Sequence, residues 1–180
     1  MDKLICINKI IVLFSIILLL ISCQKRNNDP LSISVEITGT NNQKITFDND
    51  TITTFHFKVS ILNQTDSVFG FWVMSGSFWD NLKFNSDNIA FYPEAYDHNL
   101  PKLILLSPNE VYFMSGELEV NDLKIMKQLR NLKLAFILAR KTEFPEYNYK
   151  LEKHLRQIIL LRKKSNKDFI WCKKAIEYDW

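Results

Sequence analysis

The stretch FHFKVSIL, residues 55–62, decides the fold. Phe55, Phe57, Val59 and Ile61 alternate with His56, Lys58 and Ser60. In an extended chain successive side chains point to opposite faces, so a period of two predicts a strand with one apolar and one polar face. Working outward, LSISVEIT at 31–38 repeats the pattern through Leu31, Ile33, Val35 and Ile37. Asn63-Gln64-Thr65-Asp66 has turn chemistry, and SVFGFWVMS at 67–75 is apolar on both faces, as a central strand would be. Shorter strands are expected at 89–92 and 102–106. Ser107-Pro108-Asn109-Glu110 reads as a turn, with Pro suited to its second position. Tyr112, Met114, Leu118 and Val120 then share a strand face, and Asp122 is placed to cap a short helix through Gln128. Leu132, Leu134, Phe136 and Leu138 define a further strand, and 168–178 a last one.

Residues 145–164 break this rhythm. Leu151, Leu155, Ile158 and Ile159 fall on one helical face, with Lys150, Lys153, Arg156 and Lys163 largely away from it. Pro145 or Asn148 would start this helix, which is expected to cover one edge or end of the sheets. The expected class is all-β: an Ig-like antiparallel β-sandwich with one amphipathic helix inserted before the last strand.

The chain's 180 residues suit one domain, and its four glycines and five prolines exclude collagen-like or linker-like chains. Aromatic content of 13% argues against disorder, because there is ample apolar surface to bury.

The N-terminus reads MDKLICINKIIVLFSIILLLISC. Lys3 and Lys9 make a basic region ahead of an uncharged apolar run at 10–21, long enough for a signal peptide and short for a spanning helix. Its end, Leu20-Ile21-Ser22-Cys23, resembles the lipobox of bacterial lipoproteins. That resemblance implies removal of residues 1–22 and acylation of Cys23, which would tether the chain to a membrane. Gln24 stands where an Asp would favour the inner membrane, so the same rule favours the outer membrane. The polar residues 24–30 read as a tether, and 31–180 as the domain.

Two further segments, LLSPNEVYFMSGELEV at 105–120 and FIWCKKAIEY at 169–178, resemble small Ig-like lipoproteins of the Bacteroidota. Most of those families have no assigned activity, so the likeness implies a fold and not a function. The antibody-type Cys…Trp…Cys spacing is missing, and no Tyr stands near the start of the Leu132 strand. With Cys6 removed and Cys23 acylated, Cys172 is left without an intramolecular partner and reads as a buried, inert thiol. Asp50-Thr51-Ile52 and Asp66-Ser67-Val68 resemble the short O-glycosylation signal of Bacteroidota envelope proteins; the plain alternative is two polar turns.

Charge is segregated. Residues 23–122 hold six Lys/Arg against thirteen Asp/Glu, and residues 123–180 hold fifteen against six. The late cluster Arg162-Lys163-Lys164 with Lys167 suggests attraction to anionic headgroups or acidic glycans. The favoured alternative is a solvated helix face that partly neutralises neighbouring acidic strands. Nucleic acid is an unsuitable partner for a chain anchored outside the cytoplasm.

His56, His98 and His154 have no metal-ligand spacing, and HExxH, CxxC, GxSxG and glycine-rich phosphate loops are missing, so neither a cofactor nor a catalytic set is expected. Glu94 with Asp97-His98-Asn99 offers an acid–base group, more simply read as a polar turn. Phe69, Phe71, Trp72, Phe78, Trp79, Phe91, Tyr92 and Tyr96 cluster in one region, and of these Trp79, Tyr92 and Tyr96 are expected in loops, where they would stack on sugar rings or anchor a protein. The functional expectation is a non-enzymatic, lipid-anchored module of the cell envelope that binds an envelope protein or a glycan. The alternatives are an envelope protease inhibitor and, less favoured, an envelope hydrolase. Cys23→Ser is expected to abolish acylation of the chain, read by metabolic labelling with a fatty acid. A variant that still matures as an acylated membrane protein would refute the lipobox reading.

Overall fold

The computed structural model describes residues 29–41, 53–86, 89–91, 99–120, 131–146 and 150–176. Nine strands are present among them, all paired antiparallel. They are β1 (Leu31–Asn41), β2 (Thr53–Asn63), β3 (Phe69–Met74), β4 (Leu82–Phe84), β5 (Ile89–Phe91), β6 (Pro101–Leu106), β7 (Val111–Val120), β8 (Leu134–Ile137) and β9 (Phe169–Trp171). One α-helix, α1 (Leu151–Ser165), precedes the last strand. The expected helix at 122–128 lies outside the described residues.

The first sheet has the order β1-β2-β7-β5. Its register places Val35 opposite Val59, and Val59 opposite Met114. The period-two residues therefore line one common face, where Leu31, Ile33, Phe55, Phe57, Val59, Ile61, Met114 and Leu118 are all buried. The remaining strands pair as β3-β6 and β4-β8-β9. These two pieces join along one line, because the Trp72 N–H donates to the Ala139 carbonyl and the Lys141 N–H to that of Gly70, both at 2.8 Å. A Cβ on Gly70 would lie 2.9 Å from the Lys141 Cβ, so only glycine admits this crossing chain. Residues from all nine strands share one apolar core between the two layers, giving a sandwich-like arrangement.

β4 and the 3-10 turn before it (Phe78–Asn81) have no counterpart in the sequence reading. The chain leaves the sheet after β3, makes this turn and rejoins β8 as β4. Asn81, fully buried, bridges the break by donating from Nδ2 to the carbonyls of Trp72 (3.2 Å) and Ile137 (3.1 Å). The expected last strand at 168–178 is shortened to Phe169–Trp171. Cys172 follows it, buried as expected, with the Leu134 N–H pointing at its Sγ.

The helix starts at Leu151, later than Pro145 or Asn148, and it covers a face rather than an edge. Leu151, Leu155 and Ile159 form a second core with Trp72 and Met74 of β3, Ile137 of β8, and Ala139. β3 is apolar on both sides for this reason: Phe71 and Val73 face the first sheet, while Trp72 and Met74 face the helix. Burying the three helix residues stabilises the docking by about 1.5–3 kcal/mol each. Asn166 ends the helix in the left-handed region at φ 51°, which Asn tolerates better than most residues. Lys83 caps that end, its Nζ donating to the Lys163 carbonyl at 3.2 Å and to Asn166 Oδ1 at 3.1 Å.

Arg162 fastens the helix to the loop after β8. Its guanidinium meets Glu143 Oε1 at 2.5 Å and Asp168 Oδ2 at 3.1 Å, and it also donates to the Leu138 carbonyl. Arg156 reaches Asp80 of the acidic half at 4.0 Å, whereas Arg162 takes both its acids from its own half of the chain. Burial alone would raise the Glu143 carboxyl. The hydrogen bonds from Arg162 and the Arg140 N–H, with the charges of both arginines, outweigh that and hold it below its usual value.

At one end of the sheets, Asn63 ties two turns together. Its Nδ2 donates to the carbonyls of Ser67 (2.8 Å), Leu106 (2.9 Å) and Ser107 (3.1 Å), and its Oδ1 accepts from the Thr65 N–H and hydroxyl. Asn63→Ala is expected to lower unfolding free energy by about 2–4 kcal/mol, because it strands carbonyls at a buried position. Asn63→Asp should cost more, since it turns an acceptor toward three acceptors; denaturant unfolding of both variants checks the order. For Glu143, a depressed folded pKa means that its contribution is present above the unfolded value and lost as pH falls through the folded one. Glu143→Gln should therefore lower Tm at neutral pH, and the gap from the parent should close on acidification, read by thermal unfolding from about pH 7 to about pH 3.

Candidate functional site

Of the residues expected to bind, Trp79 is described, whereas Cys23, Tyr92 and Tyr96 lie outside the described residues, as do Glu94, Asp97, His98 and the Asp50-Thr51-Ile52 segment. Trp79 does not sit in an open loop. It belongs to the 3-10 turn Phe78–Asn81 and is half-buried. Other clustered aromatics serve packing: Phe71 is in the main core, and Trp72 faces the helix with its Nε1 donating to the Phe144 carbonyl at 2.9 Å.

The turn is held from several directions. Asn99 Oδ1 accepts from the N–H groups of Gly76 (3.0 Å) and Ser77 (3.1 Å). Asn99 Nδ2 donates to Ser77 Oγ at 2.5 Å, and that hydroxyl donates to Asp80 Oδ2 at 2.6 Å. Phe78 packs over Gly116 of β7, where an added Cβ would come within 3.1 Å of the ring. The break between β3 and β4 is thus pinned to both layers, and Trp79 is carried at a fixed position against Phe78, with ring centroids 5.3 Å apart.

Beside Trp79 lies an open groove of about 350 Å³ between β4 and β5. Among the described residues each of these strands is paired on one side only, β4 with β8 and β5 with β7. Phe84 and Phe91 form the floor, stacked at 4.9 Å, with Phe91 also packed on Phe57 at 5.6 Å. Ile89 and the stems of Lys83 and Lys163 complete the walls. The volume falls in the range of small-ligand sites, and the mix of aromatic faces with a few polar groups is what such sites use.

The ammonium groups here hold the walls together. Lys83 reaches the helix end, and Lys163 Nζ lies 3.5 Å from the Trp79 carbonyl. Burial lowers the Lys163 pKa, the Asp80 carboxylate opposes that, and Lys83 adds to it. On the far side of Lys163 a smaller hollow of about 160 Å³ lies by Asp80, Arg156 and Leu160, with Arg156 4.0 Å from Asp80.

Two other surfaces carry polar groups. A groove of about 410 Å³ runs between Ser32, Ser34 and Glu36 of β1 and Lys173 and Lys174. On the outer face of the first sheet His56 Nδ1 lies 3.2 Å from Glu117, and Lys58 stands over the exposed Phe113 ring at 4.1 Å. Among the described residues no group of three or more His, Cys, Asp or Glu is placed to hold a metal, and no helix is long and apolar enough to cross a membrane. Ser67 of the Asp66-Ser67-Val68 segment lies in an exposed turn.

Sequence reasoning singled out Trp79 and included Phe91 among the clustered aromatics, but it missed Phe84, Ile89, Lys83 and Lys163. Spacing offered no signal for them, because β4, β5 and α1 meet only in the folded chain. No protein-family model and no curated protein matches this chain. Among solved structures the chain is similar to a FixG-related protein from Vibrio parahaemolyticus at 15% identity, covering 84% of this chain and 99% of that one with a TM-score of 0.31. A likeness at that score carries no argument about function.

Proposed function

We propose that this chain is a lipid-anchored, non-enzymatic binding module of the cell envelope, held at the outer membrane through Cys23, that recognises a glycan in the groove beside Trp79. The observation that carries the binding reading is the groove itself: aromatic rings of Trp79, Phe84 and Phe91 lining a hollow of about 350 Å³ on the open side of the sheets. A pyranose ring has apolar C–H faces that stack on aromatic side chains, and hydroxyls that suit a rim carrying Ser86 and lysine side chains. A protein partner would need a broader apolar surface, about 800 Å² on each side. The lipid anchor rests on the lipobox-like Leu20-Ile21-Ser22-Cys23.

The strand order supports an Ig-like reading of the sandwich. β1-β2-β7-β5 matches the A-B-E-D order of constant-type domains, and β3/β4-β8-β9 matches C-F-G. β6 departs from that scheme: it follows β5 in sequence yet pairs with the outer side of β3.

The test is a glycan array probed with the full chain, followed by titration of the best ligand. Trp79→Ala should weaken binding at least about tenfold, close to 1.4 kcal/mol. Trp171→Ala, exposed on β9 and outside the groove, should leave it unchanged. Circular dichroism on both variants separates lost binding from lost fold. Equal affinity of Trp79→Ala and the parent would refute the groove, and retention of an envelope protein with no glycan would replace the glycan reading.

A further inference from the structure

The helix has a second face that the fold does not use. Leu151, Leu155 and Ile159 point into the second core, and at 100° per residue the opposite stripe is Lys153, His154, Gln157, Leu160, Leu161 and Lys164. Leu161 is 64% exposed, the most of any large apolar residue among the described residues, and Leu160 is 57% exposed. No acidic residue falls on this stripe. The helix's one carboxylate, Glu152, is bonded to Arg156 at 3.2 Å, and Arg156 also faces Asp80. Lys153, Lys164 and the adjacent Lys167 are exposed and have no ion-pair partner among the described residues. Two neighbouring exposed leucines thus share an outward stripe with Lys153 and Lys164 on a helix whose other side is fastened by Arg162, while Asp80, in the hollow beside Leu160, faces Arg156.

We infer that this outer face of α1 docks on an anionic lipid surface, with Leu160 and Leu161 entering the headgroup region and Lys153, Lys164 and Lys167 meeting lipid phosphates. Charge complementarity favours this occupant: basic residues flanking a short apolar stripe are what an interfacial helix presents to anionic headgroups. A second copy of the chain fits poorly, because a two-fold interface would bring the same lysine-rich stripe against itself. Two leucines also fall far short of the apolar area that a stable protein interface buries. The inference rests on the anchor proposed at Cys23 for its nearness to the membrane. The Pro30 carbonyl already accepts from the Gln64 N–H at 3.0 Å, so the tether runs from Cys23 to Asp29, six Cα steps and a contour of at most about 22 Å. A tether that short keeps the domain close to the lipid, where the face it presents is set by charge and by exposed apolar groups.

The experiment places a spin label at Leu161→Cys in the full acylated chain, reconstituted in vesicles. Cys172 is buried and leaves the label site-specific. In vesicles with about one third phosphatidylglycerol, the label should lose access to a water-soluble nickel complex several-fold and gain access to oxygen. In phosphatidylcholine alone it should stay in water. Reversing Lys153, Lys164 and Lys167 to Glu should restore nickel access in the anionic vesicles. A label equally wet in both lipids overturns the inference, and so does a label shielded in both with dipolar broadening, which would mean that another copy covers the face. Vesicle flotation separates this from the anchor. A chain that floats with phosphatidylcholine while its label stays wet in both lipids keeps the anchor and loses the helix contact. A chain that floats only with anionic vesicles, in a manner abolished by the three reversals, keeps the helix contact and loses the anchor.

Discussion

Everything in this structure depends on one stretch of chain, residues 134–139, being dry on both faces and bonded along both edges. Leu134, Ala135, Phe136, Ile137, Leu138 and Ala139 are each no more than 1% exposed. Leu134, Phe136 and Leu138 point into the main core, whereas Ile137 and Ala139 meet the helix. A polar backbone so deeply buried must find all its hydrogen bonds within the protein. It finds them in β4 and β9 on its two sides, in β3 through Ala139, and in Asp168 and Cys172 at the two ends of β9. That requirement draws the two smaller sheet fragments into one layer, and the exposed apolar back of that layer then requires the helix.

The candidate groove is a by-product of the same arrangement. β8 is bordered on one side by two strands, β3 and β4, and the chain between them has to leave the sheet and return. Asn81 supplies donors to the carbonyls that the departing chain leaves without partners, and the Asn99–Ser77–Asp80 chain of hydrogen bonds fixes the excursion. Trp79 therefore projects from a turn with little freedom, which lowers the ordering cost of binding against it. Lys163 ties this turn to the helix, so the groove and the outer helix face are joined: its ammonium donates to the Trp79 carbonyl, and its neighbours Leu161 and Lys164 are exposed.

Local rules read most of the strands. β1, β2 and β7 alternate because one face meets the core and the other water, and that pattern is complete within each strand. The turn at 107–110 was equally plain: Pro108 presets one position, and Asn109 accepts φ 62° at the next. β4 escaped because three residues, Leu82-Lys83-Phe84, are too few to show a period. The last strand was read too long because Cys172 and Ile176 continue its apolar pattern after the ladder has broken; their N–H groups still reach the carbonyls of Leu134 and Leu132.

By itself the sequence determined the antiparallel, strand-rich class, the presence and the buried face of the late helix, and the buried setting of Cys172. Each of these follows from which side chains neighbour one another within a few residues. Only the tertiary structure decided that the helix lies on a sheet face, that Arg162 takes Glu143 and Asp168 as partners, and that Trp79 shares a groove with Phe84 and Phe91. Those outcomes join residues tens of positions apart. Hydrophobic burial, which selects them, has no direction or spacing of its own, so no local pattern records which surfaces will meet.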